Sequence, residues 1–227
     1  MKTSLIVFDL AGTTVKDNQD VHRVLQRAMA NFDISISLED ANDVMGIPKP
    51  VAIRTLLLKH GFNKTSDKLI DEIHSTFVTG MINFYQTDPS VGEKEGVTET
   101  FNQLRAMGIR IAVDTGFDRP ITDPLLERLG WVKNGLVDVS VTSDEVLRGR
   151  PSPDLVFRAM ELTNIREAQS VVKVGDTPYD LQEGMAARCG LVVGITTGAF
   201  SRDVLQEIPH THLIEHISEI VGLVQQQ

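Results

Sequence analysis

Four aspartates, a threonine and an arginine stand where chemistry could use them. Asp9 closes the apolar run "LIVFD" and opens the turn "LAGTT", in which position 11 is Ala11 rather than a second acid. Asp114, Thr115 and Gly116 close "IAVDTG", Arg148 and Arg150 lie in "RGRPSPD", and Asp176 and Asp180 close "VVKVGDTPYD". Aspartate and glycine leave strands routinely as turn formers, so any one of these endings is ordinary. On one sheet edge, however, they would bring together carboxylates from separate strands, a hydroxyl and a guanidinium. Convergent carboxylates with backbone carbonyls suit a hard divalent cation, and magnesium is the natural choice beside a phosphoryl group. Arg150 adds a fixed charge for phosphate oxygens, and Thr115 a hydroxyl donor. A carboxylate such as Asp9 is also a covalent phosphoryl acceptor, and the metal reduces its repulsion from an anionic substrate.

The elements that must position these residues follow from hydrophobic pattern. Apolar runs at 5–8, 109–113, 137–141, 171–174 and 191–195 have strand character, and 212–214 reads as a short last strand. Between them, Val97, Phe101, Leu104 and Met107 share one helical face, and a second helix runs from Pro153 through Phe157, Met160 and Leu162. Continuous apolar strands alternating with helices predict an α/β fold, a Rossmann-like parallel sheet covered on both faces. In such sheets ligands bind beyond the carboxyl ends of the strands. Residues 16–90 break the alternation with successive helical stretches at 21–32, 50–60 and 67–85. The expected division is an α/β hydrolase core, 1–15 and 90–227, with a helical cap, 16–89, inserted over the edge where Asp9 emerges.

With 227 residues, 41% of them apolar and a net charge of −9 spread along the chain, the protein reads as an ordinary globular one. That charge argues against a nucleic-acid or anionic-membrane surface. Its single cysteine, Cys189, excludes an intrachain disulfide and a cysteine metal cluster. No apolar run approaches the length of a membrane span. The first residues lead directly into a strand without the cationic and apolar regions of a signal peptide, so the expected location is cytoplasmic.

"DLAGTT", "VDTG", "GRPSPD" and "VGDTPYD", in this order at strand ends, resemble the four motifs of the haloacid dehalogenase superfamily. The resemblance spans nearly the whole chain, with 16–90 matching the helical cap. It implies that Asp9 is the nucleophile and Thr115 a phosphoryl donor. It further implies that Asp176 and the Ala11 carbonyl bind magnesium along with Asp9, and that Asp180 acts from behind them. Most phosphatases of the superfamily carry aspartate at the place of Ala11, to protonate a leaving alkoxide, and lysine at the place of Arg150. Both differences are similar to the phosphonoacetaldehyde hydrolase, or phosphonatase, branch, in which a cap lysine forms a Schiff base with the substrate aldehyde. The carbon then leaves as an enamine and needs no acid at position 11. "VMGIPKP" supplies the lysine: Met45, Gly46 and Lys49 match that branch's spacing, with Met45, Gly46, Gly116 and Arg150 expected around the substrate. The chain departs from the branch at Ala52, where it carries a proton-shuttling histidine, and at Phe117, where it carries an aromatic hydroxyl. Relatives in this branch dimerise through the cap, which implies a homodimer.

Plainer readings stand beside these. Asp180 is placed to cap the helix containing Leu181. Asp114 reads as structural, Arg148 as a solvated charge, and Met45 as a core filler. A loop lysine such as Lys49 is ordinarily solvated. His210, His212 and His216 do not have the spacing of a zinc site, and His216 is expected to start the terminal helix. The expected function is a magnesium-dependent phosphonatase-like hydrolase of a small phosphonate aldehyde. The alternative is a small-metabolite phosphatase without Schiff-base chemistry, and a non-catalytic binding protein is the third reading.

Overall fold

The computed structural model describes residues 2–62 and 65–226. Six parallel strands form one sheet: β1 (Leu5–Asp9), β2 (Arg110–Asp114), β3 (Val139–Val141), β4 (Val171–Gly175), β5 (Leu191–Ile195) and β6 (His212–Ile214), in the order β3-β2-β1-β4-β5-β6. β1 and β4 are buried at every position, as strands covered on both faces should be. The chain moves outward from β1 through β2 to β3, then returns to β4 on the other side of β1. That reversal makes the carboxyl end of β1 the topological switch point, where open α/β sheets bind ligands. The register sets Asp9 beside Asp114 and Phe8 beside Val174, so the acids ending β1, β2 and β4 emerge together. β3 is shorter than its apolar run. The Val137 N–H turns away to the Trp131 carbonyl, and at Asp138 the side-chain carboxylate, rather than a backbone carbonyl, accepts the Ile111 N–H while the Asp138 N–H donates to the Ile111 carbonyl.

Between β1 and the sheet's first crossover helix, α5 (Val97–Ala106), lie four helices: α1 (Asp20–Ala30), α2 (Leu38–Asn42), α3 (Lys49–Lys59) and α4 (Asp67–Thr87). On α4, Ile73, Phe77 and Met81 are buried as their amphipathic spacing predicts, but the face closes on Ile70 and Tyr85 rather than on Leu69 and Phe84, which are half-buried. The remaining helices are α6 (Arg119–Leu129), α7 (Asp154–Thr163), α8 (Pro178–Ala186), α9 (Arg202–Leu205) and α10 (Glu219–Gln225). The last begins at Glu219 rather than His216, because the Glu219 carboxylate accepts the Glu215 and His216 N–H groups and holds those residues in the turn before the helix.

The inserted helices are seated on the core. Arg128 of α6 donates to the Tyr85 and Asp88 carbonyls at the end of α4, at 3.0 and 2.6 Å, and His74 of α4 lies 3.6 Å from Asp118 at the start of α6. One apolar cluster runs through both parts, with Phe77 and Tyr85 each 6.2 Å from the ring of Phe117. Phe117, where a hydroxylated ring was the family's pattern, is therefore an anchor between insertion and sheet.

Candidate active site

Backbone geometry at the tip of β1 is built for a close approach. Gly12 has φ +88°, and a Cβ there would lie 2.2 Å from Asp176 Oδ2; a Cβ on Gly198 would lie 2.1 Å from the same atom. Two glycines thus leave room for the Asp176 carboxylate, which accepts from Thr13 Oγ1 at 3.0 Å and from the Ala199 N–H at 2.5 Å. The turn itself is tied down by Lys94, whose Nζ donates to the Gly12 carbonyl at 2.8 Å and to Thr197 Oγ1 at 3.0 Å.

Asp9, Asp176 and Asp180 present carboxylate oxygens all within 4.8 Å of one another, and all three are buried. Burial, together with the neighbouring Asp180, pushes Asp176 up to about 7; burial also raises Asp9 well above the usual carboxylate range, with Arg150 opposing the shift. Like charges forced together in a dry site are what a divalent cation relieves, and an all-oxygen donor set suits magnesium. The residues fit such an ion, for which Asp9, Asp176 and Asp180 would be the candidate ligands.

Arg150 is the hub of the buried charge. Its guanidinium lies 2.7 Å from Asp9, 2.5 Å from Asp114, 3.0 Å from Asp180 and 3.1 Å from Glu183. Behind it Lys173, fully buried, lies 2.5 Å from Asp114, 3.2 Å from Asp180 and 3.0 Å from Glu183. Burial pulls both cations' pKa values down, but the surrounding carboxylates outweigh it, so both stay charged. Asp114, expected to be structural, bridges the two cations, as Asp180 and Glu183 also do. Lys173 and Glu183 escaped the sequence reading: Lys173 interrupts an apolar strand, which is the signal that a buried partner must exist. Asp180 takes the expected place in the cap of its helix and also meets the buried cations. Its Oδ2 forms the capping box of α8 with Thr177, while Oδ1 faces Arg150. Arg148 pairs with Asp154 at the surface.

From the insertion, Lys49 reaches the same place. It lines one small pocket with Asp9, Ala11, Asp17, Met45, Gly46, Thr115, Gly116, Phe117 and Arg150, and the free volume is about 30 Å³, room for a water or two. Lys49 is the first residue of α3: Pro48 sets the entering backbone and Pro50 occupies the first turn, where no N–H is needed. The expected loop lysine is thus a rigidly presented one, 4% exposed. Among the described residues its Nζ has no hydrogen bond or ion pair, and it lies 5.3 Å over the Phe117 ring and 5.8 Å over Phe77. Burial pulls it down to about 8, against the pull of Asp17 and Asp9 in the other direction. A helix N-terminus, itself positive, also disfavours the protonated amine.

The seam between insertion and core is closed by backbone. Gly46 (φ +89°) fits against Thr177, where a Cβ would come within 2.5 Å of Oγ1; Gly116 fits against the carbonyls of Gly46 and Ile47 at 3.1 Å; and Gly149 fits against Pro48 at 2.3 Å. Thr115 Oγ1 accepts the Phe117 N–H at 3.1 Å, which keeps the hydroxyl within the pocket.

A model of the haloacid dehalogenase-like hydrolases matches residues 6–193. The chain belongs to that family. It is 29% identical to the phosphonoacetaldehyde hydrolase of Bacteroides fragilis, covering 96% of this chain and 87% of that one. In fold it is similar to a phosphonoacetaldehyde hydrolase-like protein from Oleispira antarctica, at 18% identity and a TM-score of 0.86 over 100% of this chain and 92% of that one. A candidate phosphoglycolate phosphatase from Lactobacillus delbrueckii is similar at 19% identity and a TM-score of 0.81, over 99% of both chains. The haloacid dehalogenase fold, a parallel core sheet with an inserted helical region, is the one observed, and the chain is a hydrolase of this family. No helix among the described residues is long and apolar enough to cross a membrane.

Proposed function

We propose that this hydrolase cleaves the carbon–phosphorus bond of a small phosphonate aldehyde, with Asp9 as nucleophile and Lys49 as an imine-forming amine. The observation that carries the reading is Lys49 itself: a buried, unpaired lysine in the pocket of the nucleophilic acid, its pKa brought down to about 8 by burial. Lysines displaced toward neutrality in this way are suited to carbonyl condensation. The sequence similarity to the Bacteroides fragilis phosphonoacetaldehyde hydrolase supports the same reading.

In this reading residues 16–89 are a cap and the rest a core, and each contributes one reactive group. The neutral Lys49 amine condenses with the aldehyde, and the resulting cationic imine withdraws electrons from the adjacent carbon. Asp9 attacks phosphorus, and the electron pair of the breaking carbon–phosphorus bond passes into an enamine. Arg150 and Thr115 hold phosphoryl oxygens, while Met45, Gly46 and Gly116 wall the substrate in. Bound magnesium would neutralise charge between Asp9, Asp176 and the phosphoryl oxygens. The enamine takes a proton on carbon and returns to the imine, one water releases the aldehyde product from Lys49, and another hydrolyses the aspartyl-phosphate. Ala11 fits this chemistry because a carbon leaving as an enamine requires no alkoxide acid at that position.

The second reading, a phosphatase for a small metabolite with a good leaving group, keeps Asp9, Arg150, Thr115 and the metal and leaves Lys49 unused. The solved fold relative described as a candidate phosphoglycolate phosphatase favours it, as do Ala52 and Phe117. Borohydride added with phosphonoacetaldehyde separates the two. Covalent reduction at Lys49, mapped by peptide mass, is expected; steady turnover of phosphate esters by a Lys49→Met protein with no trapping in the parent would establish the phosphatase instead. A homodimer through the cap is part of the proposal and is checked by light scattering.

A further inference from the structure

Imine formation needs a group that takes the proton from the lysine ammonium and returns it to the departing hydroxyl. Among the titratable side chains lining the pocket, Asp9 is engaged as nucleophile beside Arg150, and arginine does not release its proton at working pH. Asp17 is the carboxylate left over. It sits just before α1, where Oδ1 accepts the N–H groups of Asp20 at 2.6 Å and Val21 at 3.3 Å, so its backbone and one oxygen are fixed. Its other oxygen, Oδ2, lies 3.9 Å from Nδ1 of His22.

His22 makes the arrangement unusual. It is 2% exposed, and its Nε2 lies 2.9 Å from Asn42 Oδ1, an oxygen that only accepts, so Nε2 carries the ring hydrogen. Nδ1, buried without a hydrogen-bond partner among the described residues, is turned to the Asp17 carboxylate oxygen, and the space between the two is where a proton would be held. The other charged or titratable groups that act on Asp17 or share its pocket are, among the described residues, Asp20 on α1, Lys49 on α3, Tyr85 on α4, Asp9 on β1 and Arg150 in the loop before α7.

We propose that Asp17, backed by His22, is the acid–base catalyst for Lys49's carbonyl chemistry. The assignment rests on the imine reading above. Asp17 takes a proton from the Lys49 ammonium, directly or through one water, giving the free amine and a carboxylic acid. The amine adds to the aldehyde carbon, and the proton on nitrogen moves to the alkoxide, giving a neutral carbinolamine. Asp17 then protonates the carbinolamine hydroxyl, which departs as water while the nitrogen lone pair forms the carbon–nitrogen double bond. Lysine ammonium and aldehyde have become iminium and water, and Asp17 is again a carboxylate. His22 Nδ1 shares the proton during the interval in which Asp17 holds it.

The test is the single-turnover rate of borohydride trapping at Lys49, with phosphonoacetaldehyde as probe, in the full-length parent, Asp17→Asn and Asp17→Glu. Asparagine keeps the oxygen that caps α1 and removes only the titratable function, so a loss of about 100-fold is expected. Asp17→Glu retains a carboxyl group and is expected to stay within about tenfold of the parent, a rescue that a helix-capping role would not produce. Trapping by Asp17→Asn at the parent's rate overturns the assignment, as does Asp17→Glu being as impaired as Asp17→Asn. Absence of trapping in the parent is a different result: it removes the imine reading, and this assignment with it.

Discussion

Lys49 shows how one residue can be placed against its own stability. A lysine with an ordinary pKa is about 0.03% neutral at pH 7, whereas one at about 8 is about 10% neutral, a gain of some 300-fold in nucleophile. The same burial disfavours folding while the amine is charged. The unfolded chain binds more protons than the folded one between about 8 and the ordinary lysine value, so stability rises with pH across that window. Lys49→Met should therefore lose imine trapping and yet be more stable in urea at pH 7 by roughly 1–3 kcal/mol, with the gain shrinking by pH 10. A parent and variant equally stable at pH 7 would show that the amine is not charged and desolvated there. Ala11 makes the complementary prediction. Ala11→Asp installs an acid beside Asp9, so turnover of alkyl phosphates should rise at least about tenfold relative to aryl phosphates, which need no leaving-group acid. Both residues could be picked out from the sequence by what surrounds them: a missing acid after Asp9, and a lysine spaced from Met45 and Gly46. Asp17, Lys94, Lys173 and Glu183 could not, because each acquires its significance from a partner distant in the chain or across the pocket.

At the scale of elements, strands were legible and seams were not. A continuous apolar run such as Leu5–Asp9 has few alternatives to a buried parallel strand, and α4 declared itself by its spacing. Nothing in the chain marks Gly149 as different from a turn glycine. The structure shows it filled by Pro48 of the opposite segment, where a Cβ would approach to 2.3 Å. Gly149→Ala should push the Lys49 loop away from the core and lower trapping at Lys49 by tenfold or more while the sheet remains folded; unchanged trapping would mean that the loop yields without consequence. Beneath the strand ends, Arg150 and Lys173 share three carboxylates, Asp114, Asp180 and Glu183, and Arg150 also meets Asp9. Removing one cation leaves buried acids uncompensated, so Lys173→Met is expected to destabilise the protein by about 3–5 kcal/mol in chemical denaturation.

For the molecule as a whole, the site is shared between two parts that meet around a nearly filled pocket of about 30 Å³. Entry of a substrate is expected to move the inserted helices on α6, where Arg128 and the His74–Asp118 pair now hold them. Binding that joins only core carboxylates should stabilise the folded chain by mass action: magnesium at 100 times its dissociation constant adds about 2.7 kcal/mol, read as a rise in Tm. Asp176→Asn should abolish that rise. Because Asp176 is pushed up to about 7 by burial and Asp180, protons compete with the metal, so the rise should weaken as pH falls below 7. A magnesium-dependent Tm shift that survives in Asp176→Asn would move the metal elsewhere.

By itself the sequence determined the parallel α/β sheet, the helical insertion and the acids at the strand ends, since these depend on periodicity and on turn chemistry between near neighbours. Tertiary structure alone decided that Lys49 is buried without an ion pair among the described residues, that Asp114, Asp180 and Glu183 join Arg150 to Lys173, and that Asp17 lines the pocket of Lys49 with His22 at its other side. The physical reason is that a side chain's charge state is set by solvent exclusion and by groups within a few ångströms. Those neighbours come from strands and helices that only folding brings together.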